Sequence, residues 1–265
     1  MPELMHDGIS LHYEIDGMGP ALFLIPGMLS DSASWAPILE PLAENHTVIR
    51  PDPRGAGRTR PWNATITLDA LAEDILALAD HLGHDQIAVA GHSLGGLVAL
   101  RLAAMAPGRV RSLVAIAATP LPSARLPHLF RSLCETRSAQ GREDVWLNVL
   151  FPWLFADGFF RDPQSVDAAL QAARTYPHAQ PLSAMQHQTE ALGQLNLRGL
   201  PKRLDLPALA ILAEDDAMIP LSKTLEAWQV LGAQVRVIPD AGHSMHWDQP
   251  RQVADEITGF LAKRA

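Results

Sequence analysis

The stretch Gln86-Ile87-Ala88-Val89-Ala90-Gly91-His92-Ser93-Leu94-Gly95-Gly96 constrains this chain more than any other. An apolar run of strand length passes into Gly-His-Ser-Leu-Gly and then, with no loop between, into the apolar pattern of a helix at 94–105. Glycines two residues either side of the serine leave room for a sharp strand-to-helix turn. Such a turn lifts the Ser93 hydroxyl over the end of a sheet. It also sets it at a helix N-terminus, where free N–H groups and the helix dipole favour developing negative charge. A serine presented in this way is a candidate nucleophile.

The same alternation runs through most of the chain. Short apolar runs bounded by turn residues predict strands at 11–15, 21–25, 47–50, 86–90, 110–117, 208–213 and 234–238. Helical patterns fall at 68–82, 94–105, 222–231 and 252–263. In the first, Leu71, Ile75, Leu78 and Leu82 recur on one face, and Gly83 follows as a stop signal. Strand and helix in series predict a mostly parallel, twisted α/β sheet covered on both faces. The series breaks between Thr119 and Pro201, where helical patterns carry Trp146, Phe151, Trp153, Phe155, Phe159 and Phe160. A chain of 265 residues then reads as one domain formed by 1–119 and 201–265, with a helical insertion at 120–200 lying over the end of the sheet. Each of these aromatics has a plain role in the insertion's own core, and Trp153, Phe155 and Phe159 are the candidates for facing a ligand.

Composition narrows the partners. The formal charge is −8, so there is no basic excess to neutralise nucleic acid or an anionic membrane. The single cysteine, Cys134, excludes an internal disulfide and reads as a buried spectator thiol in a reducing compartment. The N-terminal residues lack a basic segment followed by an apolar run, and no stretch reaches about 18 uninterrupted apolar residues. A cytoplasmic protein, monomeric or homodimeric, is expected.

A serine hydroxyl is a weak nucleophile and needs a base, which in turn needs a group to orient it. His243 follows the strand 234–238 in a Gly-His loop, and Glu214, Asp215 and Asp216 follow the strand 208–213. Both loops lie after strand carboxyl ends, where open α/β sheets bind ligands. His246, three residues past His243, has no accompanying metal-binding pattern, so no metal is expected there; it reads as a pocket-wall or surface residue. Asp52 and Arg54 read as buttresses of a loop near the serine.

These motifs together resemble the α/β-hydrolase family over nearly the whole length. Gly91-His92-Ser93-Leu94-Gly95-Gly96 matches the family's G-H-S-x-G-G. The segment from Ala213 to Pro220 resembles G-E-x-D-x-x-x-P, with alanine for glycine, and that from Gly242 to Pro250 resembles G-H-x-x-x-x-E-x-P, with Asp248 for glutamate. Asp52-Pro53-Arg54-Gly55-Ala56-Gly57-Arg58-Thr59 resembles D-x-R-G-x-G-x-S. The resemblance implies an α/β-hydrolase fold whose insertion is a variable cap. It implies Ser93 as nucleophile, His243 as general base and acid, and Asp216, four residues before Pro220, as the orienting carboxylate. It further implies an oxyanion hole made by the backbone N–H groups of Leu94 and Met28, in a loop that reads Pro26-Gly27-Met28 where many relatives have His-Gly.

The expected reaction is hydrolysis of a small carboxylic ester or lactone through an acyl-enzyme, without cofactor, similar to the small carboxylesterase and enol-lactonase branch. A serine at position 93 disfavours dehalogenase and epoxide hydrolase chemistry, which use a carboxylate nucleophile. Carbon–carbon bond hydrolysis and aminoacrylate-type amide or imine hydrolysis would keep the same triad. A weakly catalytic ligand receptor on the same fold is the alternative of another class, distinguished by the absence of turnover.

Overall fold

The computed structural model describes residues 2–140 and 145–263. Eight strands form one sheet in the order β1-β2-β4-β3-β5-β6-β7-β8. They are β1 (Glu3–His6), β2 (Ile9–Asp16), β3 (Ala21–Ile25), β4 (Thr47–Pro51), β5 (Ile87–His92), β6 (Val110–Ile116), β7 (Ala208–Ala213) and β8 (Gln234–Ile238). From β4 to β8 all neighbours run parallel, while β2 is antiparallel to β4 and β1 to β2. This is the α/β-hydrolase fold expected above.

Period-two alternation splits the buried strand residues between two apolar layers. Phe23, Val89 and Leu113 face a core shared with α2 (Leu68–His81) and α3 (Leu94–Met105), closed by Trp228 of α8 (Leu221–Val230). Leu22, Ala88 and Val114 face the other, with α1 (Ala36–Ala43), the one-turn α9 (Met245–Asp248) and α10 (Pro250–Ala262). The interior strands β3, β5 and β7 are buried along their whole length, as the absence of polar alternation in their sequences requires. β8 closes the sheet as an exposed edge.

Strand β1 and helix α1 were not expected from the sequence. Strand β1 is short, polar and half-exposed, and pairs with β2 around Asp7 and Gly8, both at positive φ (43° and 75°). Asp-Gly is the sequence signal for this hairpin. Helix α1 carries Pro37 in its first turn and Pro41 inside, which obscures its periodicity.

Between β6 and β7 the described residues form helices and turns and no strand: α4 (Arg125–Ser138), α5 (Val145–Leu154), α6 (Pro163–Arg174) and α7 (Leu182–Gly193), with 3-10 turns at Asp157–Arg161 and Leu197–Gly199. Phe130, Leu133, Leu150 and Met185 of α4, α5 and α7 form a cluster that includes Met218 and Ile219, from the loop after β7. The helices thus rest on the loops at the strand carboxyl ends. Among the described residues, no helix is long and apolar enough to cross a membrane.

Candidate active site

Ser93 sits between β5 and α3 with φ 52° and ψ −114°, a conformation that a residue with a side chain adopts only when its surroundings impose it. Its N–H donates to the carbonyl of Ile116 in β6 at 2.8 Å, which pins the turn to the neighbouring strand. The flanking glycines are a packing requirement. A Cβ on Gly91 would run into the Gly95 carbonyl, and one on Gly95 into the Ile25 carbonyl. The serine is therefore held up because β5, α3 and the end of β3 approach to backbone contact.

β7 ends in Ala213, and the next residues are tied to β8 and its loop, Glu214 N–H to the Ile238 carbonyl and Asp215 N–H to that of Ala241. Asp215 is exposed and Asp216 turns inward. Asp216 Oδ1 accepts from the N–H groups of Met218 and Ile219 at 2.8 and 2.9 Å, and Oδ2 lies 2.9 Å from His243 Nδ1. The carboxylate thus both satisfies its own loop and faces the imidazole. His243 Nε2 lies 2.9 Å from Ser93 Oγ. The His243 and Asp216 side chains are each 4% exposed, so their contact is shielded from competing water. A hydroxyl, an imidazole and a carboxylate in this order can pass the hydroxyl proton to the ring while the carboxylate fixes its tautomer and stabilises its charge.

Loop residue Gly27 lies against the elbow: a Cβ there would be 3.2 Å from Ser93 Cβ. Among the described residues, neither the Met28 nor the Leu94 N–H donates to a protein group, which leaves both available to an oxyanion beside Ser93.

The histidine loop is fastened to the insertion. Asp248 Oδ2 accepts from Gly242 N–H at 2.8 Å and from Ala156 N–H at 3.0 Å, and Ser244 N–H donates to the Leu154 carbonyl at 2.7 Å. Burial, ahead of these hydrogen bonds, pushes the Asp248 carboxyl above its usual range. His92 supports the same loop from below, its Nε2 donating to the His243 carbonyl at 2.9 Å. Burial drives His92 well below the ordinary imidazole range and His246 down to about 3, so both rings are neutral beside His243.

A cavity of about 410 Å³ lies between the insertion and the core, reaching Leu29, His92 and Ser244, the neighbours of Met28, Ser93 and His243. Of the aromatic candidates, Phe155 and Phe159 line it, as does His246. Trp153 does not; it packs in the cluster with Met218, with the Arg125 guanidinium 5.6 Å from its ring. Sequence reading passed over Tyr176 and Arg137, which also line the cavity and whose roles depend on partners far away in the chain. Tyr176 donates to Asp31 Oδ2 at 2.8 Å, across 145 positions. Asp52 and Arg54 act as loop buttresses: Asp52 accepts from the N–H groups of Ser32 and Arg58, and Arg54 makes a two-pronged pair with Asp74. Cys134 is buried, with Sγ 3.4 Å from Thr189 Oγ1. No group of three or more potential ligands is arranged to hold a metal among the described residues.

Residues 20–250 match the model of the α/β-hydrolase fold family, and the chain belongs to that family. It is 31% identical over 95% of its length to the dihydrolipoyllysine-residue acetyltransferase component of the acetoin cleaving system of Pseudomonas putida, spanning 66% of that protein. It is 26% identical to a putative carbamate hydrolase, RutD, of Azorhizobium caulinodans, covering 99% of each chain. Among solved structures it resembles a thermophilic esterase from Thermogutta terrifontis, with 26% identity, TM-score 0.85 and 99% of each chain covered. It also resembles the enol-lactonase of Burkholderia xenovorans, with 25% identity and TM-score 0.85, covering 98% of this chain and 100% of that one. A hydrolase of the α/β-hydrolase family is the class these matches define.

Proposed function

We propose that the chain is a serine hydrolase that cleaves a small carboxylic ester or lactone through an acyl-enzyme on Ser93. The observation that carries this reading is the buried relay from Ser93 Oγ through His243 to Asp216, with 2.9 Å at both contacts. His243 takes the Ser93 proton as Oγ attacks the carbonyl carbon, and the Met28 and Leu94 N–H groups hold the oxyanion. Collapse of the tetrahedral adduct re-forms the carbonyl and breaks the bond from its carbon to the leaving oxygen, to which His243 gives the proton. Water, deprotonated by the same ring, then attacks the acyl carbon; the bond from that carbon to Ser93 Oγ breaks, His243 returns the proton to Oγ, and the acid leaves. No step calls on a cofactor. Similarity to proteins described as an esterase and an enol-lactonase supports an oxygen ester as the bond cleaved. The full-length similarity to a putative carbamate hydrolase favours a carbamate or amide as the second reading.

The test is steady-state release of p-nitrophenol from acetate, butyrate and octanoate esters, with Ser93→Ala beside the unsubstituted protein. Sustained turnover that falls by about 10⁴-fold or more in the variant is expected. Equal release by both proteins would remove Ser93 from the reaction, and binding without turnover would favour a receptor.

A further inference from the structure

The cavity that reaches His92 and Ser244, the chain neighbours of Ser93 and His243, contains an unusual cation. Arg137, in the last turn of α4, is the one Lys or Arg side chain among the described residues that line it. Its Nη2 donates to the Gln180 carbonyl at 2.7 Å, its Nη1 approaches Met185 Sδ at 3.6 Å, and its guanidinium lies 5.0 Å from the Trp146 ring. No carboxylate among the described residues lies within ion-pair distance of it. Other buried and half-buried guanidiniums behave otherwise: Arg50 pairs with Asp16, Arg54 with Asp74 and Asp7, and Arg58 with Asp52 and Glu14. Burial pushes Arg137 below the usual arginine range, the direction expected of a cation whose lost hydration is not replaced by an anion among the described residues.

The rest of the wall shows what kind of molecule would supply the anion. Trp146, Phe151, Phe155, Phe159 and Trp247 give it an apolar, aromatic character. The acid on the wall, Asp31, is already engaged by the Tyr176 hydroxyl and the Ala33 N–H, and the neighbouring His92 and His246 are neutral. One guanidinium balances one negative charge, which suits a carboxylate better than a phosphate dianion. The volume, about 410 Å³, is at the lower end of the roughly 300–1,000 Å³ of small-molecule sites.

We infer that the substrate is an ester or lactone bearing a second, free carboxylate, which Arg137 holds while the apolar body lies between the aromatic walls and the reacting carbonyl reaches Ser93. This rests on the serine hydrolase reading and specifies its substrate. The test compares mono-p-nitrophenyl glutarate with p-nitrophenyl hexanoate, in which an ethyl group replaces the carboxylate. A KM about tenfold or more lower for the glutarate is expected, and Arg137→Met should raise the glutarate KM by about tenfold more than the hexanoate KM, with Arg137→Lys recovering part of the loss. Equal KM values for the two esters, or equal losses in Arg137→Met, would overturn the inference. Glutarate titrated calorimetrically into the Ser93→Ala protein gives a readout independent of turnover. Heat of binding that vanishes on adding Arg137→Met supports the anchor even if every ester is inert, an outcome that would count against the hydrolase reading instead. Absent binding, or binding insensitive to Arg137, would overturn it. Non-competitive inhibition of hexanoate turnover by glutarate would also overturn it, because the carboxylate would then lie outside the substrate's place.

Discussion

Ser93 pays in backbone strain for its position, and the residues around it divide the remaining work by single atoms. Asp216 shows this best, with Oδ1 given to its own loop and Oδ2 to His243. In Asp216→Asn the amide oxygen can keep the Met218 and Ile219 bonds, while the NH₂ group meets His243 Nδ1 and imposes the wrong tautomer. We expect kcat to fall by about 10⁴-fold with the melting curve little changed. Activity close to that of the unsubstituted protein would remove the carboxylate's role in the relay. His246 leads to a prediction about stability. Its folded pKa, about 3, is below the ordinary value of 6.5, so between those values the unfolded chain binds a proton that the folded chain does not. Its contribution is therefore complete above about pH 6.5 and is lost as pH falls, by roughly 2 kcal/mol at pH 5. Urea unfolding at pH 7.5 and 5 should show a smaller pH-dependent loss in His246→Gln, and an identical loss in both proteins would contradict the assignment. At this scale the sequence pointed to the three side chains that the fold brings into contact, Ser93, Asp216 and His243, because each sits in a local motif. Arg137 and Tyr176 were illegible because their meaning lies in what the fold brings to them from elsewhere in the chain.

Elements in this molecule are placed by how closely their backbones can approach. Gly95→Ala would put a methyl group on the Ile25 carbonyl, and because neither α3 nor β3 has a flexible end to yield, a loss of at least about 3 kcal/mol is expected in urea unfolding. Gly259→Ala, in α10 with open space around the new Cβ, should instead stabilise by about 0.5–1 kcal/mol. Comparable effects from the two substitutions would show that helix propensity, not the α3–β3 contact, governs both sites. The strands buried on both faces were readable because nothing polar interrupts them. β1 was missed because its four residues are polar and its signal resides in the Asp7-Gly8 turn, and α1 because two prolines lie in eight residues.

Across the whole molecule, the insertion is fastened to the core through a few polar ties. Tyr176 reaches Asp31, Gln188 donates to the Arg54 carbonyl at 3.0 Å, and His187 Nε2 lies 2.8 Å from the Ala64 carbonyl. Removing one tie should loosen a part and leave the whole folded. Tyr176→Phe is expected to raise amide exchange in α6 and the turn after it, while global stability falls by no more than about 1.5 kcal/mol. Exchange unchanged in α6 would show that the apolar cluster alone holds the insertion down. The insertion as a break in the strand series was legible in the sequence; its attachment points were not, since single polar residues on helices carry no periodic signature.

The clasp at Asp248 has a consequence for descent. One carboxylate oxygen serves Gly242 in the histidine loop and Ala156 in the insertion, and Gly242 has no Cβ because the backbone at Phe155 and Ala156 occupies its place. The insertion is thus not a freely exchangeable module. A foreign insertion transplanted between β6 and β7 would have to reproduce the backbone path through residues 154–156, or the graft would displace the imidazole on which the host scaffold relies. Diversification of this chain is easier along α4 to α6, by substitution of cavity-facing side chains, than by wholesale exchange of the segment that carries them.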